Sequence, residues 1–436
     1  MLAEKTFTSD FIDHYTHFEE TLGPRTASTF HKKRQEALTT LKDLLFPHIK
    51  QEAWKYTNLR ALAKESFQLA TPSTVSQQPD WLKSPEEANV LVFINGFYKE
   101  EWSKVISPKT QLDLLTWEEA EQANYTLLTT HAGKIATTQS DYFNTLNLAY
   151  TQQGLVMHVN KNQAVEAPII IYQIIDTSQP VAVQPRNLVV VGENAQAKLV
   201  EIHQTVGPEE GKAFLNEVSE FFVEKNARLS YYKLQHELQP ITHINTTQVL
   251  QKDHSFFGAT TISLEGGLIR NNLNIEIAGE HCESFMTGLS VLSGKTHVDH
   301  HTIADHQVPH SYSNELYKGI FDDRSTGVFN GKVFVRPQAQ KTNAFQQNRN
   351  ILLTDTASIY TKPQLEIWAD DVKCSHGATT GQLDEDALFY LRTRGIPEER
   401  AKALLLTAFA GEVLERIDLA FFKAYCENYI HTRLSN

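Results

Sequence analysis

Hydrophobic and polar positions divide the chain into three successive textures. From Pro24 to about Phe67, Phe30, Ala37, Leu38, Leu41, Leu44 and Leu45 recur at helical spacing between charged residues, and Pro47 interrupts them. "TPSTVSQQPD" (71–80) has the composition of a linker. "NVLVFINGFYKEEWS" (89–103) predicts a strand pair turning at Asn95-Gly96, a favoured hairpin dipeptide. Residues 111–150 are expected to be helical again. Together these make an N-terminal helical or mixed domain over 1–150.

From about Gly154 the texture is β. In "GGLIRNNLNIEIAG", Leu273, Ile275 and Ile277 fall on one face and Asn272, Asn274 and Glu276 on the other, with Ile269 read as a break. "PQLEIWA" repeats the alternation with Leu365 and Ile367. Polar turns precede the apolar strands, and the steps from Ala195 to Ala227, Ser255 and Ser284 are 32, 28 and 29 residues. Such a loose period fits a β-solenoid over 151–383; a large β-sandwich is the alternative. At Asp384 the pattern returns to helix. Asp384 is an N-cap candidate, acids fill the first turn, Arg392 and Arg394 the last, and Gly395 terminates it. Pro397 opens a second helix. It carries Ala401, Leu404, Leu405 and Ala408 on one face and Leu406, Ala410, Val413 and Leu414 on another. A helix apolar on two faces buries against two things, its own domain and a partner. Residues 384–436 form a C-terminal helical domain.

Composition removes several function classes. No apolar run approaches the ~20 residues of a membrane span. The formal net charge of −12 argues against nucleic acid as the main partner, since phosphate binding rests on clustered Lys and Arg. The N-terminus carries Glu4 and no long apolar core, so it does not read as a signal peptide. Cys282, Cys374 and Cys426 are odd in number and widely spaced. They form no disulfide framework and suggest a reducing, cytoplasmic setting.

Four stretches hold candidate chemistry. Gly294-Lys295-Thr296 resembles the end of a phosphate-binding loop, but Leu289 stands where the first glycine belongs and the following residues are strand-like. Nucleotide binding by this chain is not expected. His297, His300, His301, His306 and His310, with Asp299 and Asp305, supply imidazole and carboxylate for zinc or iron at a spacing that fits neither a helical pair nor a zinc finger. Their structural reading is a hydrogen-bonded stack along the solenoid wall, His297 and His301 facing one way and His300 the other. Asp322-Asp323 and Asp370-Asp371 are paired acids, the equipment of a β-helix lyase or hydrolase acting on carbohydrate, or simply turn residues. Cys374 and His376 in "KCSHG" share one face of an extended strand, ~7 Å apart at their Cα atoms. That separation suits a shared metal site better than a nucleophile–base dyad, yet two ligands are not four. An inert buried thiol remains open.

The run 300–417, through "GIFDDRSTGVFNGKVFVRPQAQKTNAFQQNRNILL" and "KCSHGATTGQLDEDALFYLRTRGIPEERAKALLLTAFAGEVLERI", closely resembles the SufB/SufD family of iron–sulfur cluster assembly proteins. "EAWKYTNL" (52–59) is similar to the N-terminal signature of its SufD branch, and the length and lack of a clustered-cysteine segment agree. The resemblance implies a mainly β chain, a right-handed parallel β-helix flanked by helical domains. It implies a non-enzymatic scaffold that pairs with SufB through the β-helix ends, or with itself when isolated, and binds the ATPase SufC through its C-terminal helices. His376, and with less defined part Cys374, would serve nascent cluster formation or iron entry at the SufB interface. SufC would contact Arg392, Arg394, Gly395, Ile396, Leu404, Leu405 and Phe409. No cofactor would stay permanently on the isolated chain; a transient iron–sulfur cluster or iron would sit at the interface in the complex. Besides the carbohydrate enzyme, a homodimeric metal-storage protein built on His300 and His301 is the remaining alternative.

Overall fold

The computed structural model describes residues 7–435 apart from 84, 137, 140 and 239, so the N-terminal reading at Glu4 lies outside the described residues. Strands alternate between two parallel sheets. One holds Arg186–Val191, Ala213–Val223, Thr242–Gln251, Leu268–Ile277, His297–His306, Thr326–Val335 and Ser358–Ile367. The other holds Ile169–Asp176, Gln196–Val206, Arg228–His236, Phe256–Glu265, Glu283–Leu292, Tyr312–Phe321, Asn343–Leu352 and Lys373–Gly381. Each strand pairs in parallel with the strand two places on in sequence, so the core is a parallel β-helix rather than a sandwich. The sheets also take in strands before residue 151. Asn89–Ile94 pairs in parallel with Ile169–Asp176 and turns at Asn95-Gly96 onto Phe97–Tyr98, as the hairpin dipeptide predicts. Leu112–Thr116, expected to be helical, instead pairs antiparallel with Leu155–Val159.

One corner of each coil before the last turns through a left-handed residue. Asn162, Asn194, Asn226, His254, His281, His310 and Lys341 have φ between 57° and 65°. No β-branched residue stands there, because a branched Cβ clashes in this region. The asparagine amides hydrogen-bond from coil to coil at 2.8 and 2.9 Å, and the three imidazoles stack at 4.9 and 5.1 Å. This corner corrects the repeat: the counterpart of Ser255 is Cys282, 27 residues on and touching it, whereas Ser284 pairs with Phe257. Ile269 does not break the alternation either. It is wholly buried in phase with Leu273, and the polar residue on that inward face is Asn271, which donates to Gln235.

Helices cover the outer face of each sheet. On the first lie α1 (Phe7–Leu22), α2 (Thr29–Asp43), α3 (Trp117–Gln122), α4 (Thr126–His131) and α5 (Tyr142–Ala149). The helix expected over 24–67 ends at Asp43 and gives way to two single 3-10 turns, Glu52–Trp54 and Leu62–Lys64. A buried Arg34–Glu121 fork, with both N···O distances 2.7 Å, ties α2 to α3. On the second sheet lie α7 (Glu398–Leu414) and α8 (Ala420–Ser435), with α6 (Glu385–Thr393) packed beside α7. Among the described residues no helix is long and apolar enough to cross a membrane.

The solenoid interior is only partly apolar. Glu315 points inward at 2 % exposure, its carboxyl bonded to Thr302 Oγ1 and to Gln346 Nε2 at 2.6 Å. Burial dominates over both bonds and raises its pKa from 4.5 to about 7. The native state therefore holds this proton while the unfolded chain releases it. The associated stability is full below about pH 4.5 and is lost as pH rises through about 7. We expect Glu315→Gln to flatten the pH dependence of stability across that window and to stabilise the protein at pH 8 by on the order of 1–3 kcal/mol. Urea unfolding of both proteins at pH 5 and pH 8 checks this; parallel losses of stability would refute the assignment.

Candidate functional site

Among the described residues nothing caps the carboxy-terminal end of the β-helix. Among the described residues Lys373–Gly381 pairs only with Asn343–Leu352, and Ser358–Ile367 only with Thr326–Val335, leaving one edge of each strand without a strand beside it. The register makes His376 the last rung of an inward-facing column that runs Leu199, Tyr231, Ala259, Met286, Glu315, Gln346. Below it Gln346 is buried, and its Oε1 has no hydrogen-bond partner. Lacking a further coil above, His376 is exposed. Cys374 occupies the preceding inward rung over Ala344 and packs half-buried against the core. Burial pushes its thiol up, so it is not an activated thiolate. Beside these rungs the terminal coil presents Tyr360, Ile367 and Trp368, each about 40–50 % exposed. The spacing thus places both sequence candidates on one face, at one open end.

The 52–57 segment straps this end from outside. Tyr56 stacks on Tyr360 at 4.4 Å, Glu52 pairs with Lys362, and Trp54 lies under the Arg270 guanidinium at 4.2 Å. Thr57 donates to Asp299, which also holds Arg270 at 2.7 Å and His301 at 3.1 Å. The histidine cluster therefore disperses. His297, Asp299 and His301 lie under the strap. His300 faces inward against Ser290 and Tyr317, His306 against Ser313, and His310 stands in the corner stack. Burial lowers His300 and His306 to about 4, leaving them neutral. With His300 and His301 on opposite faces, the cluster offers no common metal position.

Gly294 is a left-handed corner residue followed by a strand, so the phosphate-loop likeness is a turn. Asp322 and Asp323 sit at one corner, where Asp323 accepts from Gly294 N at 2.9 Å. Asp371 sits at the other corner, paired with Lys341. Acids on different corners do not flank one glycosidic bond.

On the C-terminal helices, Asp384 caps α6 as predicted, and Gly395 ends it at φ +84°. α6 has no buried residue, leaving Phe389 and Tyr390 66 % and 56 % exposed. The two faces of α7 separate except at Ala401, expected on the side of Leu404, which joins the buried set instead. Ala401, Leu406, Ala410, Val413 and Leu414 bury against the second sheet, while Leu404 is 46 % exposed and Ala408 is exposed. Arg392 pairs with Glu398, and Arg394 lies over Tyr390. Leu405, Ile396 and Phe409 are half-buried, with Lys318 Nζ 4.0 Å above the Phe409 ring. Glu412 binds Lys318 at 2.7 Å and Arg349 at 3.2 Å, fastening α7 to the two coils beneath the last.

One cluster escaped the sequence reading. Glu201, His203, Glu217, Lys233, Glu237 and His243 lie together inside the β-helix at 0–2 % exposure. Lys233 Nζ is 3.1 Å from both Glu201 and Glu217. Burial alone would lower His243, but Glu237 and Glu217 outweigh it and raise the imidazole to about 9. The available signal was charge at inward parity, Glu201 and His203 in phase with Leu199, which becomes legible only once the register is known.

The chain matches the family model of the SUF-system iron–sulfur cluster assembly SufBD core domain over residues 173–409 and that of the SufBD N-terminal region over 5–171. It is 34 % identical to an iron–sulfur cluster assembly SufBD family protein of Synechocystis, covering 89 % of this chain and 87 % of the relative. It is 28 % identical to the iron–sulfur cluster assembly protein SufD of Escherichia coli, covering 94 % and 93 %. Against the chloroplastic protein ABCI7 of Arabidopsis thaliana it is 30 % identical, covering 98 % and 92 %. The chain belongs to the SufBD family of iron–sulfur cluster assembly proteins.

Proposed function

We propose that this chain is a non-catalytic scaffold subunit for iron–sulfur cluster assembly, working through its open β-helix end. The observation that carries the reading is the unpaired edge of Lys373–Gly381, which bears Cys374 and His376 and has no further coil over it. An exposed parallel edge is a template for strand addition, and Tyr360, Ile367 and Trp368 give the same surface apolar area to bury. A homologous β-helix end, that of SufB, fits both properties; a second copy of this chain would occupy the same surface when SufB is absent. His376 then contributes one ligand or an iron-entry group to a cluster whose other ligands come from the partner. The cluster is cargo, made and passed on. Cys374 is held as a protonated thiol by burial in the free chain, so the imidazole is the readier ligand.

α6 and the outer face of α7 are the second surface. Phe389, Tyr390 and Leu404 are exposed apolar side chains on these two helices, and Arg392, Arg394, Gly395, Ile396, Leu405 and Phe409 lie on the same helices and the turn between them. A SufC-type ATPase docked there would supply the nucleotide chemistry for which this chain has no phosphate loop. The Glu412 bridges connect α7 to the coils beneath His376.

Two outcomes test the reading. His376→Ala is expected to slow cluster formation in the reconstituted three-subunit complex by about tenfold or more, with unfolding free energy changed by less than about 0.5 kcal/mol because the side chain is exposed. Iron and sulfide content against time gives the rate; an unchanged rate removes His376 from the site. Leu404→Glu combined with Phe389→Glu is expected to weaken capture of the ATPase subunit by about tenfold or more, the cost of charging an apolar contact. Calorimetric titration measures this, and undiminished affinity would place the ATPase elsewhere.

A further inference from the structure

The interior cluster has a geometry that hydrogen bonding does not account for. His203 is wholly buried, and neither of its ring nitrogens has a hydrogen-bond partner; His243 Nε2 has none either. Buried polar atoms are normally paired, and leaving one unpaired costs about 1–3 kcal/mol. The open atoms converge: His203 Nε2 lies 3.6 Å and His243 Nε2 3.8 Å from the same oxygen, Glu217 Oε2. One ligand atom from each of the three residues falls within 4.8 Å of the others. These separations are long for hydrogen bonds but close to the roughly 3.4 Å between donors that each sit about 2.1 Å from one tetrahedral metal.

The far side of the His243 ring is ordered as well. Glu237 Oε1 is 3.0 Å from His243 Nδ1 and 3.9 Å from His203 Nδ1. Glu237 thus holds His243 Nδ1 and turns that ring's Nε2 toward Glu217, the carboxylate–histidine–metal arrangement of bound cations, while His203 Nδ1 lies beyond hydrogen-bond reach of it. Glu201 supplies a fourth position, with Oε2 3.7 Å from His203 Nε2 and Oε1 unpartnered. Charge points the same way. Three carboxylates, Glu201, Glu217 and Glu237, face a single ammonium, Lys233, so the cluster favours further positive charge, as protons on the imidazoles or as a divalent cation in their place.

We propose that His203, His243 and Glu217, closed by Glu201, form a structural site for a first-row divalent cation of the zinc(II) or iron(II) class inside the β-helix. Imidazole and carboxylate without thiolate suit these ions and disfavour copper(I), and the absence of carbonyl or amide oxygens from the ligand set disfavours calcium and magnesium. Such a site departs from the expectation that the isolated chain keeps no permanent cofactor, and it does not rest on the scaffold reading. Lys233 is the internal competitor, since its ammonium already bridges Glu201 and Glu217. Complete burial implies loading as the chain folds.

The full-length protein is expressed with zinc or iron supplementation, and separately refolded from denaturant with Zn²⁺, Fe²⁺ under anaerobic conditions, Co²⁺ or no metal. After chelator treatment and desalting, about one equivalent of metal is expected to remain, with the thermal midpoint raised by about 5 °C or more over the metal-free refold. The Co²⁺ form is expected to show the visible d–d bands of a tetrahedral nitrogen–oxygen site. His203→Gln and His243→Gln, which keep size and polarity, should each lower retained metal at least tenfold, while His301→Ala and His376→Ala retain it. Wild-type protein that holds less than a tenth of an equivalent under every loading condition overturns the site and leaves imidazolium protons as the balancing charge. Undiminished metal in His203→Gln overturns it as well. If that variant fails to fold, the Co²⁺ spectrum of the wild-type chain decides.

Discussion

A strand in a parallel β-helix satisfies its backbone only through the strand above and the strand below. Everything else in this molecule follows from that dependence. It forces successive coils into register, which aligns like positions into columns and lets asparagines and histidines stack along one corner. It exposes two broad outer faces, which the amino- and carboxy-terminal helices cover. It also requires the stack to stop somewhere, and wherever it stops a row of amides and carbonyls is left over. At the carboxy-terminal end no strand among the described residues covers those groups, and Cys374 and His376 lie there.

The same registration explains why charge is tolerated inside. A side chain on an inward rung has neighbours at fixed spacing above, below and across, so polar groups can be partnered one by one. Asn187, Asn245 and Lys233 all converge on the Glu217 carboxylate. Glu315 has Thr302 and Gln346. Where the partnering is incomplete, at His203 and His243, the deficit is itself informative, because a close-packed interior does not retain orphaned nitrogens without cost.

Much of the fold was legible from alternation. Leu273, Ile275 and Ile277 define an inward face, and Asp384 and Gly395 define a helix by its caps. Three features were not. Leu112–Thr116 is a strand because Leu155–Val159 lies beside it, a non-local cause that five residues do not encode. α7 has apolar stripes on two sides, and nothing local says which meets the sheet; the structure chose Leu406 and Ala410 over Leu404 and Ala408. The repeat was carried from Ser255 to Ser284 instead of Cys282 because corners differ in length while the left-handed residue stays constant. For the site, Cys374 and His376 were visible as a pair, but their position on the final rung depends on counting coils. The inner cluster needed the register between strands distant in sequence.

The corner stack and the bridges from Glu412 hold the inner coils from several sides. The last coil is held chiefly by its ladder on one side and by the contacts of Tyr56 and Glu52 on its back. In kinetic terms it is the loose end of a zipper, the coil whose amides should exchange with solvent before those of the coils beneath. A second β-helix arriving there adds the next tooth by the reaction that laid down every earlier one. At that end, assembly is folding continued with a second molecule, and the imidazole of His376 stands at the join.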